Sequence, residues 1–142
     1  MAQTPESPSL FDLVGGAPTL DRVVEIFYAK VEADPPFRAI YPADLEPGKA
    51  KLKLFWAQWF GGPMTYSDNY GHPRLRRRHF PFVIDQHAAG RWLRYMREAM
   101  SEAGIEEEQL KVIFTNLGPL AHHMVNANED IPREPLGDAF LT

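Results

Sequence analysis

The stretch GHPRLRRRHFPF at residues 71–82 places one histidine among four arginines, between two prolines. Pro73 suits the first position of a short helix and Pro81 ends it, because proline fits the first helical turn but interrupts later ones. Leu75 and His79 are four residues apart and therefore share one face of that helix. The pattern predicts one imidazole that points inward from a rim of positive charge. A solvated basic segment with an ordinary structural histidine fits the same spacing at least as well.

Apolar residues spaced three and four apart predict helices on both sides of this stretch. The predicted helices are a short one from Ser9 to Gly15-Gly16, and longer ones at about 19–33, 47–60, 85–103 and 106–127. Gly118-Pro119 is expected to interrupt and kink the last helix, because proline removes a backbone donor. Residues 61–84 show little periodicity and are too long for a plain connection, so we expect a functional loop there. The predicted class is all-α.

Composition narrows the function classes. With 142 residues and 44% hydrophobic content, the chain fits one globular domain with a real core. The net charge of −4 argues against a general nucleic-acid binder. The absence of cysteine excludes thiolate zinc sites, iron–sulfur clusters, thiol catalysis and covalent haem attachment.

The ends of the chain differ in composition from its middle. Residues 1–8 and 129–142 are rich in proline and charge, so we expect a flexible N-terminal extension and a flexible C-terminal tail around a domain at 9–128. No apolar run reaches the roughly 18 residues of a membrane span. The N-terminus also lacks the blocks of a signal peptide, so a cytoplasmic protein without a membrane partner is expected.

Aromatic residues are in excess, with three Trp, five Tyr and nine Phe. The predicted helices could gather many of them around one flat pocket, from Phe27, Tyr28, Phe37, Tyr41, Leu52, Phe55, Trp56, Trp59, Trp92 and Met96. A plain aromatic core is the other interpretation. An apolar pocket with one imidazole and nearby arginines suits an apolar macrocycle that bears carboxylates, and haem has these features.

Seven segments carry a family resemblance: FDLVGG (11–16), FYAKV (27–31), FRAIYP (37–42), LFWAQWFGGP (54–63), TYSDNYGHPRLRRRHFPF (65–82), WLRYM (92–96) and AHHMVN (121–126). Through them, the chain resembles the truncated haemoglobins of the second group, the O-type, over about residues 10–126. The resemblance implies a truncated globin fold, a two-over-two helical sandwich. It also implies a long loop before a very short proximal helix.

The resemblance further implies roles for individual residues. His79 corresponds to the ligand of iron in a non-covalently bound haem b, and Tyr28, Tyr41 and Trp92 correspond to the side chains that stabilise the bound ligand. Gly48 takes the place of the residue that gates ligand access. The implied haem contacts are Leu52, Phe55 and Trp56, and the implied propionate partners are Lys51, Tyr66 and Arg78.

The expected function is the binding of dioxygen and other diatomic ligands with slow release. Each hydrogen bond to the ligand contributes about 1–1.5 kcal/mol, or roughly a tenfold change in rate. Nitric-oxide or peroxide detoxification, including peroxidase or NO dioxygenase side activity, is also expected and would require a reductase. The chain is expected to be a monomer or homodimer. Two alternatives are a haem-based sensory or interaction module without turnover, and an aromatic helical bundle without haem.

Overall fold

A computed structural model describes residues 9–71, Arg74, His79 and residues 83–127. Its helices are α1 (Leu10–Leu13), α2 (Gly16–Glu32), α3 (Pro35–Arg38), α4 (Glu46–Trp59), α5 (Thr65–Tyr70), α6 (Gln86–Glu102) and α7 (Glu107–His123). The described residues contain no strand, and the all-α prediction is therefore confirmed. No helix among them is long and apolar enough to cross a membrane.

Two pairs of long helices build the body of the fold. Helix α2 packs against α4, α6 packs against α7, and α2 also packs against α6 and so joins the two pairs. The apolar stripe predicted on α2 is buried: Leu20, Val23, Val24, Phe27, Tyr28 and Val31. Asp85 caps α6 as its sequence position suggests, since its carboxylate accepts a hydrogen bond of 2.8 Å from the Ala88 N–H. The arrangement is the predicted two-over-two sandwich.

The N-terminal helix closes onto the end of α4 at a glycine. The Phe11 N–H donates to the Phe60 carbonyl at 2.8 Å. A Cβ on Gly62 would lie 2.7 Å from the Phe11 ring and 2.8 Å from the Ala57 carbonyl oxygen, so no larger residue fits without a shift. Gly15 ends α1. Its backbone is left-handed with φ of 107°, a conformation that glycine adopts readily.

Two short helices are absent from the predicted pattern. Helix α3 follows Asp34, whose carboxylate accepts a hydrogen bond of 3.3 Å from the Phe37 N–H. Helix α5 lies inside the stretch expected to be a loop. It is tied to α4 because the Gln58 side chain donates to the Ser67 hydroxyl at 2.7 Å and accepts from the Ser67 N–H at 2.9 Å. Both helices are too short for apolar periodicity to reveal them.

The predicted interruption of the last helix is wrong. Helix α7 continues through Gly118-Pro119 without interruption and ends at His123 rather than near residue 127. Proline removes a single donor, and buried Leu117 and Ala121 anchor the turns on either side of it. The two predicted tails, and most of the predicted short helix between Pro73 and Pro81, lie outside the described residues.

Candidate functional site

A largely apolar cavity lies among α3, α4, α6 and the C-terminal half of α7. The space between its walls, counted together with the solvent at its open side, is about 620 Å³. Its walls are formed by Phe37, Ile40, Tyr41, Leu52, Phe55, Trp56, His79, Ile84, Ala88, Ala89, Trp92, Leu120, Ala121 and Met124. Its only titratable side chains among the described residues are those of His79 and Tyr41.

The imidazole of His79 reaches this cavity from the segment between α5 and α6. The residue is only 5% exposed. A buried imidazole on an otherwise apolar wall is the arrangement that holds haem iron from one side. Of the two interpretations that the sequence left open for His79, the structure therefore favours the inward-facing histidine.

Asn126 links the His79 segment to the beginning of α6. Its side-chain amide donates to the His79 carbonyl at 3.3 Å, and its side-chain oxygen accepts from the Ile84 N–H at 2.9 Å. Its own N–H donates to the Ile84 carbonyl at 2.8 Å, and the residue is fully buried. Sequence reasoning missed this role, and the available signal was a polar residue at the end of an apolar helical pattern.

Asn126→Ala is expected to lower the free energy of unfolding by about 1–3 kcal/mol, because it leaves the Ile84 N–H buried without an acceptor. Asn116→Ala is the matched control, since the Asn116 amide bonds the Val112 carbonyl on the exposed side of α7. Denaturant unfolding of both variants measures the difference. Equal stability of the two variants would contradict a structural role for the Asn126 side chain.

Two hydrogen-bond donors from the predicted distal set line the cavity, and the third lies behind them. Tyr41 and Trp92 are wall residues, whereas Tyr28 is buried next to Tyr41, with ring centroids 5.8 Å apart. Among the described residues, the Tyr41 hydroxyl and the Trp56 indole Nε1 are buried without a hydrogen-bond partner. Buried donors of this kind are costly, and a bound group that accepts hydrogen bonds would relieve the cost.

Burial shifts the pKa of both tyrosines in the same direction. The pKa of Tyr41 lies well above its ordinary value because the buried phenolate would be poorly solvated, with a smaller contribution from the neighbouring Tyr28. Burial also raises the pKa of Tyr28. Both hydroxyls therefore keep their protons at neutral pH and can donate hydrogen bonds.

These raised pKa values predict a loss of stability in alkaline solution. A tyrosine whose pKa is higher in the folded than in the unfolded chain stabilises the fold fully below the unfolded pKa of about 10, and the contribution is lost as pH rises above it. We expect the denaturant concentration at the midpoint of unfolding to decrease as the pH rises above about 10. In Tyr28→Phe/Tyr41→Phe, this midpoint should decrease less steeply with pH. If the midpoint of the double variant depended on pH as steeply as that of the wild type, the raised pKa values of the two tyrosines would be contradicted.

The remaining predicted residues fall into three groups. Leu52, Phe55 and Trp56 lie on the cavity wall. Gly48, Lys51 and Tyr66 are buried but are not among the described wall residues, and Arg78 lies outside the described part of the chain.

Some side chains expected in the pocket lie elsewhere. Phe27 and Met96 are fully buried in the core between the helices, and Trp59 is partly exposed at the end of α4. The pocket prediction was wrong for these residues because helical spacing identifies a buried face only. It does not separate the residues that contact another helix from those that line a cavity. The α7 residues Leu120 and Ala121 lie on the cavity wall, and helical spacing does not distinguish them from core residues either.

A two-over-two helical fold around an apolar cavity with one buried imidazole defines a globin of the truncated class. The chain belongs to the bacterial-like globin family, which it matches over residues 9–126. It is similar to the group 2 truncated hemoglobin YjbI of Bacillus subtilis, with 40% identity over 114 residues, 80% of this chain and 86% of the relative.

Solved structures show the same likeness. The hemoglobin of Chloroflexus aurantiacus is 48% identical with a TM-score of 0.81, and the match covers 84% of this chain and 99% of that one. The group II truncated hemoglobin of Bacillus anthracis is 34% identical with a TM-score of 0.83, and the match covers 91% and 99% of the two chains.

Family membership makes non-covalently bound haem with its iron the cofactor of this chain. The residues present fit that group. The cavity wall is mostly apolar, as a porphyrin ring requires, and it carries one buried imidazole that would hold the iron. The chain thus binds haem and, through it, diatomic ligands such as dioxygen.

Proposed function

We propose that this protein binds dioxygen tightly at a haem held by His79 and releases it slowly. The observation that carries the proposal is the unpartnered hydroxyl of Tyr41, which is buried on the same cavity wall as Trp92 and His79. Haem supplies a coordination position for the ligand, and the protein supplies the donors. Slow release suits sensing, scavenging or redox chemistry better than simple transport.

Each distal side chain has a separate part in this proposal. Trp92 can only donate through its indole N–H, whereas the hydroxyls of Tyr28 and Tyr41 can donate or accept. Bound dioxygen carries partial negative charge on its outer atom, so it accepts hydrogen bonds from such donors. Tyr28 contacts Tyr41 edge to face and orients it towards the ligand.

Residues on α4 and near it are candidates for binding the haem propionates and for forming the entry route of the ligand. Lys51 is buried with its ammonium 4.9 Å from the ring centroid of Tyr70, and Tyr66 packs on the wall residue Phe55 with centroids 5.7 Å apart. We propose these two residues, with Arg78, as propionate partners. Gly48 is four residues before the wall residue Leu52 and shares its face of α4, so the missing side chain there would leave space for ligand entry.

Redox chemistry with nitric oxide or peroxide is a second candidate function, and it would require a partner reductase. The feature that favours it is the number of oxidisable aromatic rings in and around the cavity.

Absorption spectra and stopped-flow kinetics of the purified holoprotein test the proposal. The expected result is an intense Soret band, distinct ferrous, oxygen and carbon monoxide spectra, and slow oxygen dissociation. Normal ligand spectra with fast oxygen release would contradict the stabilising role of the distal donors while leaving the haem assignment intact. A missing Soret band after haem reconstitution would overturn the haem site itself.

A further inference from the structure

Three tryptophans form a continuous line from the cavity to the protein surface. Trp92 and Trp56 lie on the cavity wall, and their ring centroids are 6.1 Å apart. Trp56 contacts Trp59 at 5.6 Å, with the rings at 72°. Both separations are those of aromatic side chains in direct contact. Trp59 is partly exposed at the end of α4, so this tryptophan chain (Trp92, Trp56 and Trp59) begins at the site and ends at water.

We propose that the tryptophan chain carries electrons from a reductant at the surface to the haem cavity. The chain of rings would let the protein reduce peroxide with electron donors that are too large to enter the cavity. The proposal rests on bound haem and on the second candidate function, the reduction of peroxide. It does not depend on slow oxygen release.

The direct contact of Tyr41 with Tyr28 ends inside the core, because Tyr28 is buried. Two other series of aromatic contacts lead from the cavity towards the surface, and each passes through a phenyl ring. Tyr41 contacts Phe37, which contacts Tyr95 near the surface, with centroids 5.3 and 5.7 Å apart. Phe55 leads to Tyr66 and Tyr70 in the same way. Indoles and phenols lose an electron far more readily than a phenyl ring does. The tryptophan chain, by contrast, leads from the wall to Trp59 without a poorly oxidised step.

Trp56 and Trp59 differ in their exposure to water, and this difference favours oxidation of Trp59. Trp56 is fully buried, so bulk water does not reach its Nε1–H to take up the proton of an oxidised ring. Burial also disfavours the charged form of this indole. Trp59 is in contact with water, which stabilises the charge and accepts the proton. An electron vacancy that reaches Trp56 is therefore more stable on Trp59.

The overall reaction balances for a phenolic one-electron donor. One hydrogen peroxide and two phenols give two waters and two phenoxyl radicals. Each phenol loses one electron, which passes from Trp59 to Trp56 and on to the cavity, and one proton, which enters bulk water. The peroxide takes up two electrons and two protons as its O–O bond breaks.

The first test locates the radical instead of measuring turnover. Ferric holoprotein is mixed with equimolar hydrogen peroxide and a nitroso spin trap, and peptide mass spectrometry identifies the trapped residue. We expect trapping at Trp59 in the wild type and in the control Tyr95→Phe, and loss of most Trp59 adduct in Trp56→Phe. Soret absorbance, measured on every sample, establishes that haem is bound. Undiminished Trp59 adduct in haem-loaded Trp56→Phe would overturn the proposal.

A second variant keeps the proposal testable if Trp56→Phe does not hold haem. Trp59→Phe changes only the partly exposed end of the tryptophan chain. We expect it to lose peroxide-driven oxidation of a phenol coupled to dextran, which cannot enter the cavity, while it keeps oxidation of free phenol. Equal oxidation of the dextran-coupled phenol by Trp59→Phe and wild type would overturn the proposal. Oxygen dissociation measured on the same variant tests the proposed slow release separately.

Discussion

His79→Ala is expected to leave the protein with little or no bound haem after purification. The substitution removes the side chain that we assign as the iron ligand, while the apolar wall around it remains. Because His79 is only 5% exposed, an alanine leaves a space of about the size of an imidazole. Added free imidazole should enter this space and partly restore the haem spectrum. Haem titration followed by the Soret band measures both the loss and the recovery.

An exposed histidine provides the control for this experiment. His122 lies on the outer side of α7, where its Nδ1 is 3.0 Å from the Gln86 side-chain oxygen. His122→Ala should bind haem as the wild type does. An unchanged ferrous spectrum in His79→Ala would mean that another side chain holds the iron, and the assignment of His79 would be wrong.

The long helices could be predicted because their physical causes are local. On α2 the apolar residues recur every three or four positions, and every member of that stripe is buried. The beginnings of α1 and α6 follow from Ser9 and Asp85, whose side chains accept hydrogen bonds from backbone N–H groups in the first turn. Such signals lie within a few residues of each other, so the sequence alone displays them.

The short elements and the linking contacts depend on distant partners. Helix α5 is held by Gln58, a residue of the preceding helix, and by the burial of Tyr66. Asn126 bonds His79 and Ile84, which are more than forty positions away along the chain. No local sequence pattern predicts contacts between residues so far apart along the chain. Helical spacing therefore left two interpretations of His79 open, and it held no sign of what positions that residue.

The sequence predicted part of the cavity wall but not its outline. The inward-facing imidazole and the family motifs pointed to His79, Tyr41 and Trp92, and the structure places all three on one cavity wall. Tyr28 and Met96 share the same apolar spacing but lie behind that wall. Packing in three dimensions decides between wall and core, and spacing along a helix does not contain that information.

Trp92→Phe is expected to accelerate oxygen dissociation by about tenfold or more, because it removes the N–H that we propose as a donor to a partly charged ligand atom. Phenylalanine keeps an aromatic ring against Phe27 and Trp56, which contact Trp92 with centroids 6.0 and 6.1 Å apart. The cavity wall is therefore largely preserved, and the change in rate reports the lost N–H. Stopped-flow mixing of the oxygen complex with a ligand trap measures the rate.

The two tyrosines should behave as a coupled pair. Tyr41 is on the wall and Tyr28 lies against it at 5.8 Å, so removing one hydroxyl lets the other rotate towards the ligand. Neighbouring groups of one network are not additive. We expect Tyr28→Phe alone to change oxygen dissociation little, and Tyr28→Phe/Tyr41→Phe to exceed the sum of the single effects. Additive tyrosine effects, together with an unchanged rate in Trp92→Phe, would show that these donors do not surround the ligand.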